Sequence, residues 1–253
     1  MKRSQQPLMR KESSSSKGEL QSIMHLALGN KLYSSWSLRA YMLLRAFDIP
    51  FEETVIAMYK DDTRERMLSF GPTGKVPVLT DGDIVVWESL AIMDYVADRF
   101  DDKAIWPEDP AARAHARSAA SEMHAGFVAL RSSCPMNLTA KFAPKEWDDA
   151  LLADIDRLSV LWAEARNRFG SDGPFLYGEF CAADAMFAPV VTRLDTYQIP
   201  VTSLMRKYMN ALLACPAFLN WKADAFQEPW FLPHYEEGEV VETRLYLPEE
   251  GQA

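Results

Sequence analysis

The chain reads as an α/β unit followed by an all-helical one, and three observations point that way. Short apolar runs alternate with helix-period segments up to about residue 100. From Pro110 the apolar residues recur at i, i+3 or i+4. Between the two lies Asp101 to Pro110, a proline-bearing linker. With 253 residues, 48% hydrophobic and 25% charged, the chain has enough material for one large core or two smaller ones.

In order along the chain, Ile23 to Gly29 reads as a short buried strand and Ser34 to Phe47 as a helix with apolar positions at Leu38, Tyr41, Met42 and Leu44. Phe51 to Ala57 is a second strand, completing a strand-helix-strand unit. A polar helix, Asp61 to Leu68, precedes the loop Gly71 to Lys75. Two short strands, Val78 to Thr80 and Ile84 to Trp87, flank Asp81-Gly82-Asp83, a strong hairpin signal. Pro77 cannot donate a ladder hydrogen bond, so it belongs at an edge, a first strand position or a turn, and a cis Val76-Pro77 bond is one way to place it there. The Val76 amide and carbonyl would then face outward, free to pair with an extended peptide. The helix Ser89 to Arg99 closes the order βαβαββα, with Ser89 as N-cap and free amides at a positive helix end.

Helices are expected over Ala111 to Ser133, Pro144 to Arg168, Ala182 to Tyr197, Val201 to Ala214 and Pro216 to Gln227, a bundle. Asp184 in the first turn of the third suits its exposed amides. The units are therefore residues 23–101 and 110–228. Residues 1–22 form a serine-rich basic segment without apolar period, read as a disordered tail with no secretory apolar region. Residues 229–253 read as an irregular acidic tail whose aromatics Trp230, Phe231 and Tyr235 pack down.

Net charge of -9 disfavours binding to nucleic acid, since phosphate contacts need a basic face. Cys134, Cys181 and Cys215 are widely spaced and lack a Cys-x-x-Cys pair, which suits a reducing, cytoplasmic compartment with no disulfide framework. His25, His115, His124 and His234 show no metal-ligand spacing. No run reaches the ~18 apolar residues of a membrane helix.

Three segments, Tyr33-Ser34-Ser35-Trp36-Ser37-Leu38-Arg39, Gly74-Lys75-Val76-Pro77-Val78-Leu79 and Trp87-Glu88-Ser89, occur in this order ahead of a helical bundle. In this the chain resembles the cytosolic glutathione transferases, serine-type and nearest the zeta class, from Ile23 to about Glu228. The resemblance implies a thioredoxin-like first domain, glutathione as co-substrate, a hydrophobic electrophile and a homodimer. It also implies a catalytic serine at the start of the first helix, a Val before the cis-Pro that pairs with the cysteinyl backbone, and a Glu88-Ser89 pair holding the γ-glutamyl end. A free thiol has a pKa near ~8.5, so a hydroxyl donor and a helix N-terminus both favour its thiolate. Ser34 is the hydroxyl expected to do this, with Ser35 as its rival. Lys75 is a candidate for the glycyl carboxylate, against the plainer role of a solvated loop lysine. Arg39 reads as half of a structural ion pair.

Met123, His124, Phe127, Leu130 and Arg131 share one helical face and, with Trp36, would line the second-substrate pocket; a core stripe is the plainer reading of the apolar three. Each of His124 and Arg131 would require a partner. Where zeta members carry Cys, this chain has Trp36, and their substrate-binding arginine would fall near Thr196, so maleylacetoacetate isomerisation is not expected. Cys181 stands where a Ser or Thr cap is usual, a poorer acceptor that costs about 1 kcal/mol. The alternatives are a catalytically silent binding module and a glutathione-dependent isomerase. A thiol reductase is disfavoured because no cysteine stands at positions 34–36.

Overall fold

A computed structural model describes residues 23–170, 172–236 and 238–245 of the chain; the proposed basic tail lies outside them. The first unit runs β1 (Met24–Gly29), α1 (Ser35–Ala46), β2 (Phe51–Ile56), α2 (Thr63–Leu68), β3 (Val78–Asp81), β4 (Ile84–Trp87) and α3 (Ser89–Arg99). This is the expected βαβαββα order. The sheet order is β2-β1-β3-β4, with β1 parallel to β2 and antiparallel to β3, and β3 antiparallel to β4. A two-residue loop joins β3 to β4, and Gly82 in it takes φ +57°, a left-handed conformation that the lack of a Cβ makes inexpensive. The Val76-Pro77 bond is cis, at the entry to β3.

The second unit contains α4 (Pro110–Ala125), α5 (Val128–Ser133), β5 (Ala140–Phe142), α6 (Asp149–Phe169), α7 (Ala182–Thr196), α8 (Ser203–Leu213), α9 (Pro216–Ala225), a 3-10 turn (Pro233–Tyr235) and β6 (Val240–Thr243). Three expectations need correcting. The single helix expected over Ala111 to Ser133 is two: Gly126 ends α4, and Phe127 turns left-handed at φ 54° to start α5. A Cβ on Gly126 would lie 2.8 Å from the Glu122 carbonyl, so the break sits where only glycine fits. The helix expected from Pro144 begins at Asp149, where the Asp148 carboxylate accepts the Leu151 amide at 2.8 Å. The C-terminal segment is not irregular throughout, because β6 pairs antiparallel with β5.

The linker is pinned at both ends of its apolar pair. Ile105 and Trp106 are buried, the Trp106 indole donates to Asp94, and the Ile105 carbonyl accepts the Ala182 amide at 2.8 Å. That last bond starts α7, the most buried helix, which packs along α1 and α4. Cys181 caps α7 through a capping box: its sulfur faces the Asp184 amide, while the Asp184 carboxylate accepts the Cys181 amide at 2.9 Å and the Leu176 amide at 3.2 Å. The carboxylate therefore compensates for the weak sulfur cap.

Burial raises the Asp184 carboxyl from an ordinary 3.8 to about 6, although both amide bonds pull the other way. Between those values the unfolded chain has lost a proton that the folded chain keeps, so this contribution is present at low pH and is lost as pH rises through about 6. Relative to Asp184→Asn, the wild type is expected to lose about 2–3 kcal/mol between pH 4 and 6.5 in urea unfolding. A pH-independent difference between the two proteins would contradict this assignment.

Candidate glutathione-binding site

The site is built where three loops leave the sheet on one side. The 30–33 turn leads from β1 into α1, the 71–77 loop leads into β3, and Glu88 links β4 to α3. A cavity of about 180 Å³ is lined by Trp36, Thr73, Lys75, Val76, Pro77, Glu88, Ser89 and His124. It falls below the ~300–1,000 Å³ usual for drug-sized ligands, so a ligand of that size would extend from it into solvent. Among the described residues the Val76 amide and carbonyl have no hydrogen-bond partner, leaving a free strand-like edge beside Pro77.

Glu88 holds φ at +68°, an unfavourable value for a residue with a side chain, and its carboxylate is half exposed. The expected cap shifts by one residue here: Glu88 is the N-cap and Ser89 the first residue of α3. Ser89 is 1% exposed and its Oγ has no partner among the described residues. A hydroxyl that takes no partner when buried is an unmet cost unless a ligand meets it.

His124 approaches Glu88, with Nε2 3.8 Å from Oε2, and meets the Trp36 ring edge-on at 5.2 Å. Its Nδ1 is buried and unpartnered among the described residues. Burial lowers its pKa against the opposing pull of Glu88, which favours the neutral ring. Arg131 meets its need for a partner by donating to the His124 and Gly126 carbonyls, at 3.1 Å each, which closes the end of α4. Its guanidinium also lies 5.4 Å from the Trp36 ring centre. Met123, Phe127 and Leu130 are buried in the core and do not line the cavity.

Ser34 and Ser35 do not line the cavity either. Ser34 is the N-cap of α1, 7% exposed, and its Oγ donates to Ser37 Oγ at 2.8 Å. Ser37 Oγ also accepts the Gly29 amide at 3.0 Å, tying the end of β1 to the first turn of α1. A Cβ on Gly29 would lie 3.1 Å from Ser34 Oγ, so glycine lets strand and helix start meet. Arg39 is fully buried without the expected carboxylate. It donates to the Ser35 carbonyl at 3.1 Å and the Met186 carbonyl at 2.9 Å, and its guanidinium lies 4.2 Å from the Trp36 ring centre. Burial holds its pKa well below the ordinary value, and Arg193 and Arg131 add to the effect. Sequence reasoning missed Thr73, whose only signal was its place in the Gly71-Pro72-Thr73-Gly74 turn. Among the described residues no group of His, Cys, Asp and Glu could hold a metal ion.

The Gly29 amide is the structural test of this arrangement. Ser37→Ala strips its acceptor and is expected to lower stability by about 1–3 kcal/mol in urea unfolding, against less than ~1 kcal/mol for Ser34→Ala, which leaves that bond in place. Equal effects would contradict the geometry.

Comparison with known proteins bears on the fold. Residues 33–99 match the family described as glutathione S-transferase, N-terminal domain. The chain is 41% identical over 69 residues to a dichloromethane dehalogenase of Methylorubrum extorquens, covering 26% of this chain and 24% of that protein. The chain thus spans about a quarter of that relative. It is 28% identical over 198 residues to a probable maleylacetoacetate isomerase of Caenorhabditis elegans, covering 74% of this chain and 90% of that one. Glutathione S-transferase GstB of Escherichia coli K12 is 26% identical over 186 residues, 68% of this chain and 86% of its own. Among solved structures, a Burkholderia glutathione transferase homologue with bound glutathione superposes with a TM-score of 0.61 at 21% identity, covering 81% of this chain and 98% of that one. Poplar glutathione transferase F1 gives 0.62 at 20% identity, covering 82% of this chain and 100% of the other. Residues 33–99 are thus similar to the glutathione S-transferase N-terminal domain, and the described chain has the thioredoxin-like and helical fold seen in solved glutathione transferases.

Proposed function

We propose that the protein is a glutathione transferase that adds the glutathione thiolate to a hydrophobic electrophile. The observation that carries this reading is the unpartnered Ser89 Oγ at the N-terminus of α3, in one cavity with Lys75, the cis Val76-Pro77 edge and Glu88. An α-carboxylate there meets a hydroxyl, free amides and a positive helix end. The cysteinyl backbone would pair with Val76 as an added strand, Lys75 would face the glycyl carboxylate, and Ser35 would flank the thiol.

Ser34 is the activating hydroxyl in this account. Its task is to donate one hydrogen bond to the sulfur at the start of α1, which needs no base and only a rotation of its hydrogen away from Ser37. Trp36, His124 and Arg131 would form the wall met by the electrophile, with Met123 and Phe127 supporting it from the core. The chain would work as a cytoplasmic homodimer. Ile84, Val85 and Trp87 on the edge strand β4 are exposed, and the face shared by Val85 and Trp87 suits a subunit contact.

Two other readings have an observation each. The hydroxyl hydrogen of Ser34 is directed to Ser37, which suits a catalytically silent glutathione-transferase-like module that only binds partners. The nematode isomerase relative covers most of the chain, which suits a glutathione-dependent isomerase.

Calorimetric titration of glutathione separates them, with the ultraviolet thiolate signal followed against pH. The wild type should bind, Ser89→Ala should bind about tenfold or more weakly, and Ser34→Ala should bind with the thiolate appearing only at higher pH. An unshifted thiolate signal in Ser34→Ala would remove Ser34 as the activating hydroxyl, and no glutathione binding by the wild type would remove both enzyme readings and leave the silent binding module.

A further inference from the structure

The turn that presents Ser34 is held from the far end of the chain. Tyr33 and Ser34 donate their amides to the Asn30 carbonyl at 3.1 and 2.7 Å, so residues 30–33 set where α1 begins. Glu228, three residues past α9, accepts the Lys31 amide at 2.8 Å through one oxygen and the Leu32 amide at 3.5 Å through the other. The Trp221 indole donates to the Lys31 carbonyl at 2.9 Å. The Lys31 ammonium, on a residue only 2% exposed, pairs with Glu53 and, at 2.8 Å, with Asp224. The Tyr33 hydroxyl donates to Glu236 at 3.0 Å and faces the Leu232 amide at 3.4 Å. Every residue between Asn30 and Ser34 is therefore bonded to the segment 221–236.

We infer that Glu228 is a positioning residue for thiol activation: its two carboxylate oxygens take two consecutive turn amides and so fix the Ser34 hydroxyl at the start of α1. This rests on the glutathione transferase reading. The Lys31 and Leu32 N–H groups each reach a different carboxylate oxygen, and an amide side chain in that pose would set its own NH₂ against one of them. Burial pushes the Glu228 carboxyl up to about 7 although both amide bonds pull the other way, so the carboxylate that takes both amides prevails above about that pH. The ligand contacts proposed at Val76, Glu88 and Ser89 lie on other loops, which separates holding glutathione from activating it.

The test uses the full chain and Glu228→Gln, with 1-chloro-2,4-dinitrobenzene as electrophile. Three quantities are read: kcat against KM for glutathione, the thiol pKa of bound glutathione from its ultraviolet absorbance, and amide exchange at residues 31–34. The variant is expected to show about tenfold lower kcat near pH 7.5, where the Glu228 carboxylate prevails, KM within about twofold, a thiol pKa moved back toward ~8.5, and faster exchange at those amides. Tyr33→Phe, which loosens the same turn by a different bond, should move every readout in the same direction. Unchanged kcat and thiol pKa with only a lower melting temperature would overturn the proposal, as would unchanged exchange in both variants. If the wild type binds no glutathione, the transferase reading fails by itself, and the exchange rates still decide whether Glu228 fixes the turn.

Discussion

The burial of α1 on all sides is the constraint on which the rest depends. From Ser37 to Leu44 every residue of this helix is buried, because the sheet lies beside it and α7 and α9 cover it. A helix buried all round must be apolar or must pair its polar groups internally. Arg39 does so in part by joining the Ser35 carbonyl at the helix start to the Met186 carbonyl of α7, its Nη2 having no partner among the described residues, and Ser37 does so by binding β1. The same bonds that satisfy this burial fix the N-terminus of α1, and the candidate site is assembled around that N-terminus.

Much of the fold was legible because local chemistry and tertiary environment agree. The strand β1, the hairpin at Gly82 and the helix α3 follow the apolar pattern and turn residues closely. Disagreement appears where a distant contact decides. The helix break at Gly126 left no proline, and its signal was a lone glycine ahead of an aromatic residue. The pairing of β6 with β5 was hidden because β6 is four exposed residues inside a stretch rich in glutamate, and three residues at Ala140–Phe142 give no usable period. Cys181 looked like a weak cap because the carboxylate that compensates for it sits three residues on.

The candidate site was partly legible for the same reason. Lys75, Val76, Pro77, Glu88 and Ser89, which the family resemblance implied for glutathione, line one cavity with Trp36 and His124, which were expected at the second-substrate pocket. The apolar members of the helical stripe, Met123 and Phe127, went to the core, their plainer role. Nothing local could show that Arg39 lacks a carboxylate or that Glu228, almost two hundred residues away, binds the turn before Ser34. Such links are set by how the C-terminal segment folds back, and a single sequence carries no periodic signal of that return.

The central claim is that one cavity orients glutathione so that its thiol meets the Ser34 hydroxyl. A crystal structure of the protein with glutathione tests it most directly. The account predicts the α-carboxylate on Ser89 Oγ and the α3 amides, the cysteinyl backbone on Val76, and the sulfur within ~3.5 Å of a Ser34 Oγ that has released Ser37. Glutathione bound with its sulfur away from α1, while Ser34 keeps its bond to Ser37, would contradict it.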